Sequence, residues 1–324
     1  MPVPKGYQFR ERQKYTDEQI IEEIPKIGVR AFARKYDVHV TGVARRRRAV
    51  EKKVGGAITP LTRGGHWQQL DRHPSAVNVD IMDGHILIGS DFHYHPGTVS
   101  TAHTAFLEFQ REYQPKVIIK NGDEVDFPTI SRFAHGWEKQ PSVAEEIEYA
   151  NAMMSEIEKT SPKARLIWPV GNHDSRLETK IATSAPELAM LKGVHLRDHF
   201  NERWEACFAA FVNKDTVVKH RLKGGIYAPR NNTMYAGKTI ITGHLHSLKV
   251  WPHSDYNGTR WGVDCGTGAD PYGPQFSGYT ELNPLDWRSG FVLLTFVKGR
   301  LLWPEIVWVS GPNEVQFRGK VWNL

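Results

Sequence analysis

The chain has 324 residues, 40% hydrophobic and 24% charged, a balance that excludes a disordered or fibrous protein and suits one large domain with a smaller attachment. No run approaches the roughly 18 apolar residues of a membrane helix and no apolar signal core follows the first residues, so membrane insertion and secretion are not expected. The net charge of +6 is uneven: residues 1 to 65 hold 15 Lys/Arg against 7 Asp/Glu, a surplus of +8, leaving 27 against 29, or −2, for the rest.

The basic N-terminal segment reads as three short helices. Thr16 and Gln19 stand at capping-box spacing ahead of Ile20, Ile21 and Ile24, and Pro25 is expected to end that helix. A second helix is predicted over 29–36 and a third from Thr41 through Lys53. Ala33, Asp37 and Val43 follow the spacing of a helix-turn-helix, with Asp37 at the turn where glycine is usual; aspartate tolerates left-handed backbone angles better than most residues. The run Arg45-Arg46-Arg47-Arg48 lies on the third helix, where a nucleic-acid reader places its groove-facing side chains; a solvated basic face is the plainer alternative. Nucleic acid is therefore the expected partner. The segment at 57–76, rich in glycine and proline, reads as a linker between a 1–56 helix-turn-helix-like module and a domain at 77–324.

Beyond the linker, short apolar runs alternate with helical patterns: Ile86-Leu87-Ile88, a helix near 101–113, Val117-Ile118-Ile119, a helix from Ser142 to about Lys159, then Leu166-Ile167-Trp168. The stretch from Ser175 to about Phe208 reads as mainly helical. Strands are expected at 216–219 and 239–242, and a hairpin from 291–297 to 301–309 around Gly299-Arg300. Only two cysteines occur, Cys207 and Cys265, in no metal-binding spacing, so a reducing compartment, the cytoplasm, is expected.

Polar residues fall where these strands end. Asp91-Phe92-His93, Gly122-Asp123-Glu124-Val125-Asp126 and Gly171-Asn172-His173-Asp174 each follow a predicted strand, and Gly243-His244-Leu245-His246 follows a fourth. Ligands of open α/β sheets bind beyond the carboxyl ends of strands, so these loops should converge. Carboxylate, imidazole and amide groups without thiolate suit hard or borderline divalent metals, and the set exceeds what one ion needs. Two ions, bridged by a carboxylate such as Asp123, clamp a phosphoryl centre well, so phosphate-ester chemistry is the expectation.

In order, these blocks resemble those of the calcineurin-like metallophosphoesterases: D-x-H, G-D-x-x-D, G-N-H-[DE], a lone histidine and G-H-x-H, over roughly residues 85–310. The resemblance implies a four-layer α/β/β/α sandwich behind the small all-α module. It implies one metal at Asp91, His93, Asp123 and His246 and a second at Asp123, Asn172, His220 and His244, with a hydroxide between the ions attacking phosphorus. His173 would stabilise or protonate the leaving oxygen, Asp174 would orient it, and Asp126 would stand behind the ligands. His220 takes the lone-histidine slot because an apolar strand precedes it, with His195 and His199 as rivals; His95 and His253 could line the site. Arg176, and less directly Arg132, are placed to meet a substrate phosphate. Manganese is the first expectation for the ions, with iron, zinc and nickel also compatible. The expected function is a nuclease. The alternatives are a phosphatase or phosphodiesterase for small molecules or phosphoproteins, and a nucleic-acid-binding protein with an inactive esterase domain.

Overall fold

The computed structural model describes residues 14–55, 58, 76–132, 139–276, 280 and 285–324. The expected linker at 57–76 lies, apart from Ile58 and Ala76, outside them. The chain divides into two compact units, Met1–Asp71 and Arg72–Leu324.

In the first unit, α1 (Asp17–Lys35) starts at Thr16, whose side chain accepts from Gln19 N while Gln19 returns a bond to the Thr16 backbone. Pro25 does not end it. The helix runs on and breaks at Gly28, at φ 77 and ψ 159. Proline removes one backbone donor, but burial of Ile20 and Ile24 anchors the turns that precede it. The chain leaves the helical path at the next residue that has no Cβ to oppose a positive φ. Asp37 takes the left-handed turn at φ 49, and Lys14 Nζ donates to its carbonyl at 2.8 Å. Helix α2 (Val40–Val54) follows, and Ile20, Ile24, Phe32, Ala33, Val43, Val50 and Ile58 form the core of this unit.

The second unit is built on two sheets. Among the described residues the larger has the order β15-β14-β13-β11-β2-β3-β4-β5, with β12 (Arg300–Leu301) beside β11. Its parallel half is β2 (Gly84–Gly89), β3 (Val117–Lys120), β4 (Arg165–Pro169) and β5 (Trp204–Cys207). Its antiparallel half is β11 (Gly290–Val297), β13 (Glu305–Gly311), β14 (Glu314–Phe317) and β15 (Lys320–Asn323). The smaller sheet has the order β1-β6-β7-β8-β10-β9: β1 (Val77–Val79), β6 (Ala210–Val212), β7 (Thr216–Val218), β8 (Thr239–Thr242), β10 (Gly258–Asp264) and β9 (Lys249–Asp255).

Strands buried on both faces explain the unbroken apolar runs. Ile86 and Ile88 of β2 join Ile119, Ile167, Val218, Ile241 and Val263 in the core between the sheets. Leu87, Ile118 and Leu166 face the other way, against Phe106 and Phe109 of α3 (Thr101–Tyr113) and Met154 and Ile157 of α4 (Val143–Thr160). Helix α6 (Ala228–Ala236) covers β8, β9 and β10. The order is thus α/β/β/α, the sandwich that the sequence implies.

Two further expectations need correction. Trp204–Cys207 is a strand, not part of a helical stretch: Trp204, Ala206 and Cys207 are buried and the segment pairs parallel with β4. The strand expected over 301–309 is split, because β12 ends at Leu301 and β13 begins at Glu305, with Pro304, which has no N–H for a ladder, between them.

Candidate metal centre

Parallel register carries the ends of β2, β3 and β4 to one edge, where the loops bond to each other. Asn121 N donates to Gly89 O at 2.7 Å, Asp91 N to Gly122 O at 2.9 Å and His93 N to Asp123 O at 3.0 Å. The loops of the smaller sheet are tied in by Gly243 N donating to His220 O at 2.8 Å and His244 N to Asp91 Oδ2 at 2.8 Å. Asp91, His93, Asp123, His244 and His246 all have positive φ, between 40 and 71. Each such non-glycine residue costs on the order of 1 kcal/mol, so the surrounding bonds are holding these five against their backbone preference.

Asp91, His93 and His246 form one group of ligand-type atoms, and Asp123, His220 and His244 a second, each within 4.8 Å of one another. His246 Nε2 lies 3.1 Å from Asp91 Oδ1, and His220 Nε2 lies 3.0 Å from Asp123 Oδ2 and 3.2 Å from Asn172 Oδ1. The rivals of His220 are elsewhere: His195 sits between Glu178 and the Ala189 carbonyl, and His199 meets the Gly193 carbonyl. His95 lines a neighbouring cavity, and His253 lies on β9.

The donor set fits divalent ions. The buried atoms His93 Nε2 and His246 Nδ1 have no hydrogen-bond partner among the described residues, a state that a metal resolves. A Cβ on Gly171 would stand 2.0 Å from Asp123 Oδ1, so this loop is shaped to pass under the carboxylate. The electrostatics agree. Burial pushes the Asp91 carboxyl up, but His220 and His246 outweigh it and bring it down to about 2. Burial pulls His220 down, but Asp123 and Asp91 reverse this and push it up to about 10, a measure of how strongly the carboxylates here favour positive charge. Burial, with His220 nearby, pushes His244 down to about 4, leaving it the neutral imidazole that ligates metal.

Beside these groups His173 Nδ1 stands 2.6 Å from Asp126 Oδ1, and Arg176 Nη1 donates to Asp126 O at 2.6 Å. Burial pushes the Asp126 carboxyl up, yet contacts with His173 and His93 hold it well below the usual carboxylate range. The expected His173–Asp174 contact is absent among the described residues. The fully buried Asp174 accepts from Asp123 N, Glu124 N and Gly171 N at 2.9 Å each and from Trp168 Nε1 at 3.1 Å, a set that leaves no lone pair aimed at the imidazole. Asp126 is the carboxylate in contact with His173, and Asp174 accepts from the backbone of both loops.

No family model matches the chain. The Gene 54 protein of Mycobacterium phage L5 is 24% identical over 253 residues, covering 68% of this chain and 91% of the relative, and that of phage D29 is 25% identical over the same spans. Among solved structures, Vps29 of Chaetomium thermophilum aligns with a TM-score of 0.41 at 10% identity over 75% of this chain and 98% of that one. Zinc-complexed Vps29 of Entamoeba histolytica gives 0.36 at 16% over 74% and 96%. The E. coli phosphoesterase Yfce gives 0.30 at 15% over 68% and 97%.

In the N-terminal unit the four arginines differ. Arg46 pairs with Asp17 at 2.9 Å and Arg47 with Glu51 at 3.4 Å, whereas Arg45 and Arg48 are exposed. Two groups behind the site escaped the sequence reading. Glu146 of α4 is buried and accepts from Asp126 N at 2.9 Å and Phe127 N at 2.8 Å. Asp264, at the end of β10, is buried and accepts from Ser247 N at 3.2 Å and Gly266 N at 3.0 Å. An acid on the apolar stripe of α4, between Val143 and Ala150, was the available signal for Glu146.

Proposed function

We propose that the chain is a dinuclear metal-dependent phosphoesterase acting on the phosphodiesters of nucleic acid. The observation that carries it is the convergence of Asp91, His93, Asp123, Asn172, His220, His244 and His246 from the ends of strands in both sheets. Asp91, His93 and His246 would hold one ion and His220, His244 and Asn172 the other, with Asp123 shared. Bound divalent ions would neutralise charge on a phosphoryl group and lower the pKa of water enough to attack phosphorus near neutral pH.

The chain's own residues do the rest. Burial lowers the proton affinity of His173, but Asp123 and Asp126 outweigh it and raise its pKa. With Nδ1 fixed on Asp126, Nε2 lies 3.8 Å from Asp123 Oδ2 and would be the ring atom that exchanges a proton with the leaving oxygen. Arg176 Nη2 lies 3.3 Å from His173 Nε2, close enough for its guanidinium to meet a phosphate oxygen on the group His173 serves. Nucleic acid as substrate is supported by the +8 surplus of residues 1 to 65 and by exposed Arg45 and Arg48 on α2.

The test is a panel assay of the full chain, with Mn²⁺ or with chelator, against single- and double-stranded DNA, RNA, a chromogenic phosphodiester and a phosphomonoester. Metal-dependent cleavage of nucleic acid is expected, and Asp123→Asn should abolish it. Rapid turnover of the monoester with nucleic acid untouched would replace this reading with a small-molecule phosphatase. Metal-independent activity would remove it.

A further inference from the structure

A second cavity, about 440 Å³, opens beside Asn172 and is lined by none of the residues that line the cavity holding His95. Among the described residues, four of the ten lining it are arginine or lysine and none is acidic, although the sequence beyond residue 65 carries a net −2. One wall is a single stripe of α5 (Ser175–Ser184): Arg176, Thr179, Lys180 and Thr183 recur at the three- and four-residue spacing that stacks side chains on one helix face. Leu177, on an adjoining face of the helix, packs against the core. Arg221, from the loop after β7, closes the cavity and also lines a smaller one of about 250 Å³ beside His244. Among the described residues neither Lys180 nor Arg221 has an ion-pair or hydrogen-bond partner, and both are exposed. Unpaired cations with hydroxyls between them are the groups that fix phosphate oxygens.

We propose that this cleft binds the backbone phosphates that flank the scissile one in a polynucleotide strand. The inference rests on the phosphoesterase reading for which phosphate is cut, since Asn172 joins the cleft to the metal-ligand group through its 3.2 Å contact with His220. A phosphomonoester carries all its charge at the reacting phosphorus and has nothing to place against Lys180 and Arg221. A strand presents one further charge for every nucleotide on either side. The cleft therefore selects for a polymer in the catalytic unit itself, separately from the basic N-terminal unit.

The test uses the full chain as wild type, as Lys180→Gln/Arg221→Gln, and as Lys159→Gln/Lys163→Gln. The last removes the same charge next to the start of β4, at the opposite strand ends from the site. The first readout is binding of a labelled single strand of about a dozen nucleotides across a salt series without metal. Two lost phosphate contacts should make the log–log salt slope shallower by about 1.4 in the cleft variant, at roughly 0.7 each, and the control should keep the wild-type slope. The second is the ratio of kcat/KM for that strand to kcat/KM for a dinucleotide, with Mn²⁺. It should fall about tenfold in the cleft variant only.

A slope and ratio that stay at wild-type values in the cleft variant, or that move equally in the control, overturn the proposal. The two readings fail separately. A chain that binds the strand through Lys180 and Arg221 yet cleaves no phosphodiester keeps the cleft and loses the esterase. One that cleaves both substrates with neither readout moved by the cleft substitutions keeps the esterase and loses the cleft.

Discussion

At the scale of single residues, Asp126 and Asp174, far apart in the sequence but on neighbouring loops of the fold, carry different burdens. Asp174 accepts from backbone N–H groups of two loops and from Trp168, so its removal leaves several buried donors without partners. At about 1–3 kcal/mol for each stranded donor, Asp174→Ala should lower unfolding stability by at least about 3 kcal/mol, read from urea denaturation of the metal-free chain. Asp126→Asn instead spares those bonds but weakens the hold on His173. Its unfolding midpoint should stay near wild type while kcat/KM on a phosphodiester falls about 10- to 100-fold. Equal losses of stability in the two variants would contradict this division. His103, which is not one of the ligand groups, gives a pH signature of its own. It is buried, with Tyr94 Oη at 2.9 Å and Glu156 at 3.3 Å, and burial brings its pKa from 6.5 down to about 4. The folded chain therefore resists the proton that the unfolded chain accepts, and stability is lost as pH falls from about 6.5 to about 4. The loss is on the order of 3 kcal/mol. His103→Gln should lack it, seen as a flatter acid limb in the difference between the two pH–stability curves.

At the scale of elements, the site depends on loops that leave parallel strands at one edge and cross at close quarters. The Gly171 loop passes so near Asp123 that any side chain must displace the carboxylate or the backbone beneath it. Gly171→Ala should reduce Mn²⁺ affinity at least about tenfold by calorimetry while the far-ultraviolet circular dichroism stays native, because strand pairing is untouched. Unaltered metal affinity would show that the loop has slack. Most of these elements were legible beforehand. Buried parallel strands announce themselves as short apolar runs, and Ser142 with Glu145 marks the start of α4 by its capping box. Short strands were not legible where their pairing partner is remote: Trp204–Cys207 carries only four residues of pattern, and its strand character comes from β4 beside it.

For the molecule as a whole, the ligand groups draw on loops from both sheets, so cation binding should be coupled to folding of the sandwich. Mn²⁺ at about 100 times its Kd should add about 2.7 kcal/mol to stability, and chelator should remove it. Asp123→Asn should lose most of that increment, measured as the metal-induced change in melting temperature. Deleting residues 1 to 60 should weaken nucleic-acid binding more at low salt than at high salt, because that segment holds the +8 surplus. Salt-independent loss would show that its contribution is not electrostatic. No described helix is long and apolar enough to cross a membrane.

The sequence by itself determined the α/β alternation, the strand-end positions of Asp91, His93, Asp123, Asn172, His173, His244 and His246, and the division of charge between the N-terminal segment and the rest. These are local properties: apolar runs and caps declare elements, and a polar residue after a run lies at a strand end whatever the strand's neighbours are. The choice of His220 over His195 and His199 was legible from the apolar strand before it, and the fold sets it against Asp123; only the tertiary structure gave His173 to Asp126 rather than to its neighbour Asp174 and gathered Lys180 and Arg221 into one cleft. Each of these joins residues from separate loops, and their meeting depends on sheet order and backbone crossings that no spacing along the chain encodes.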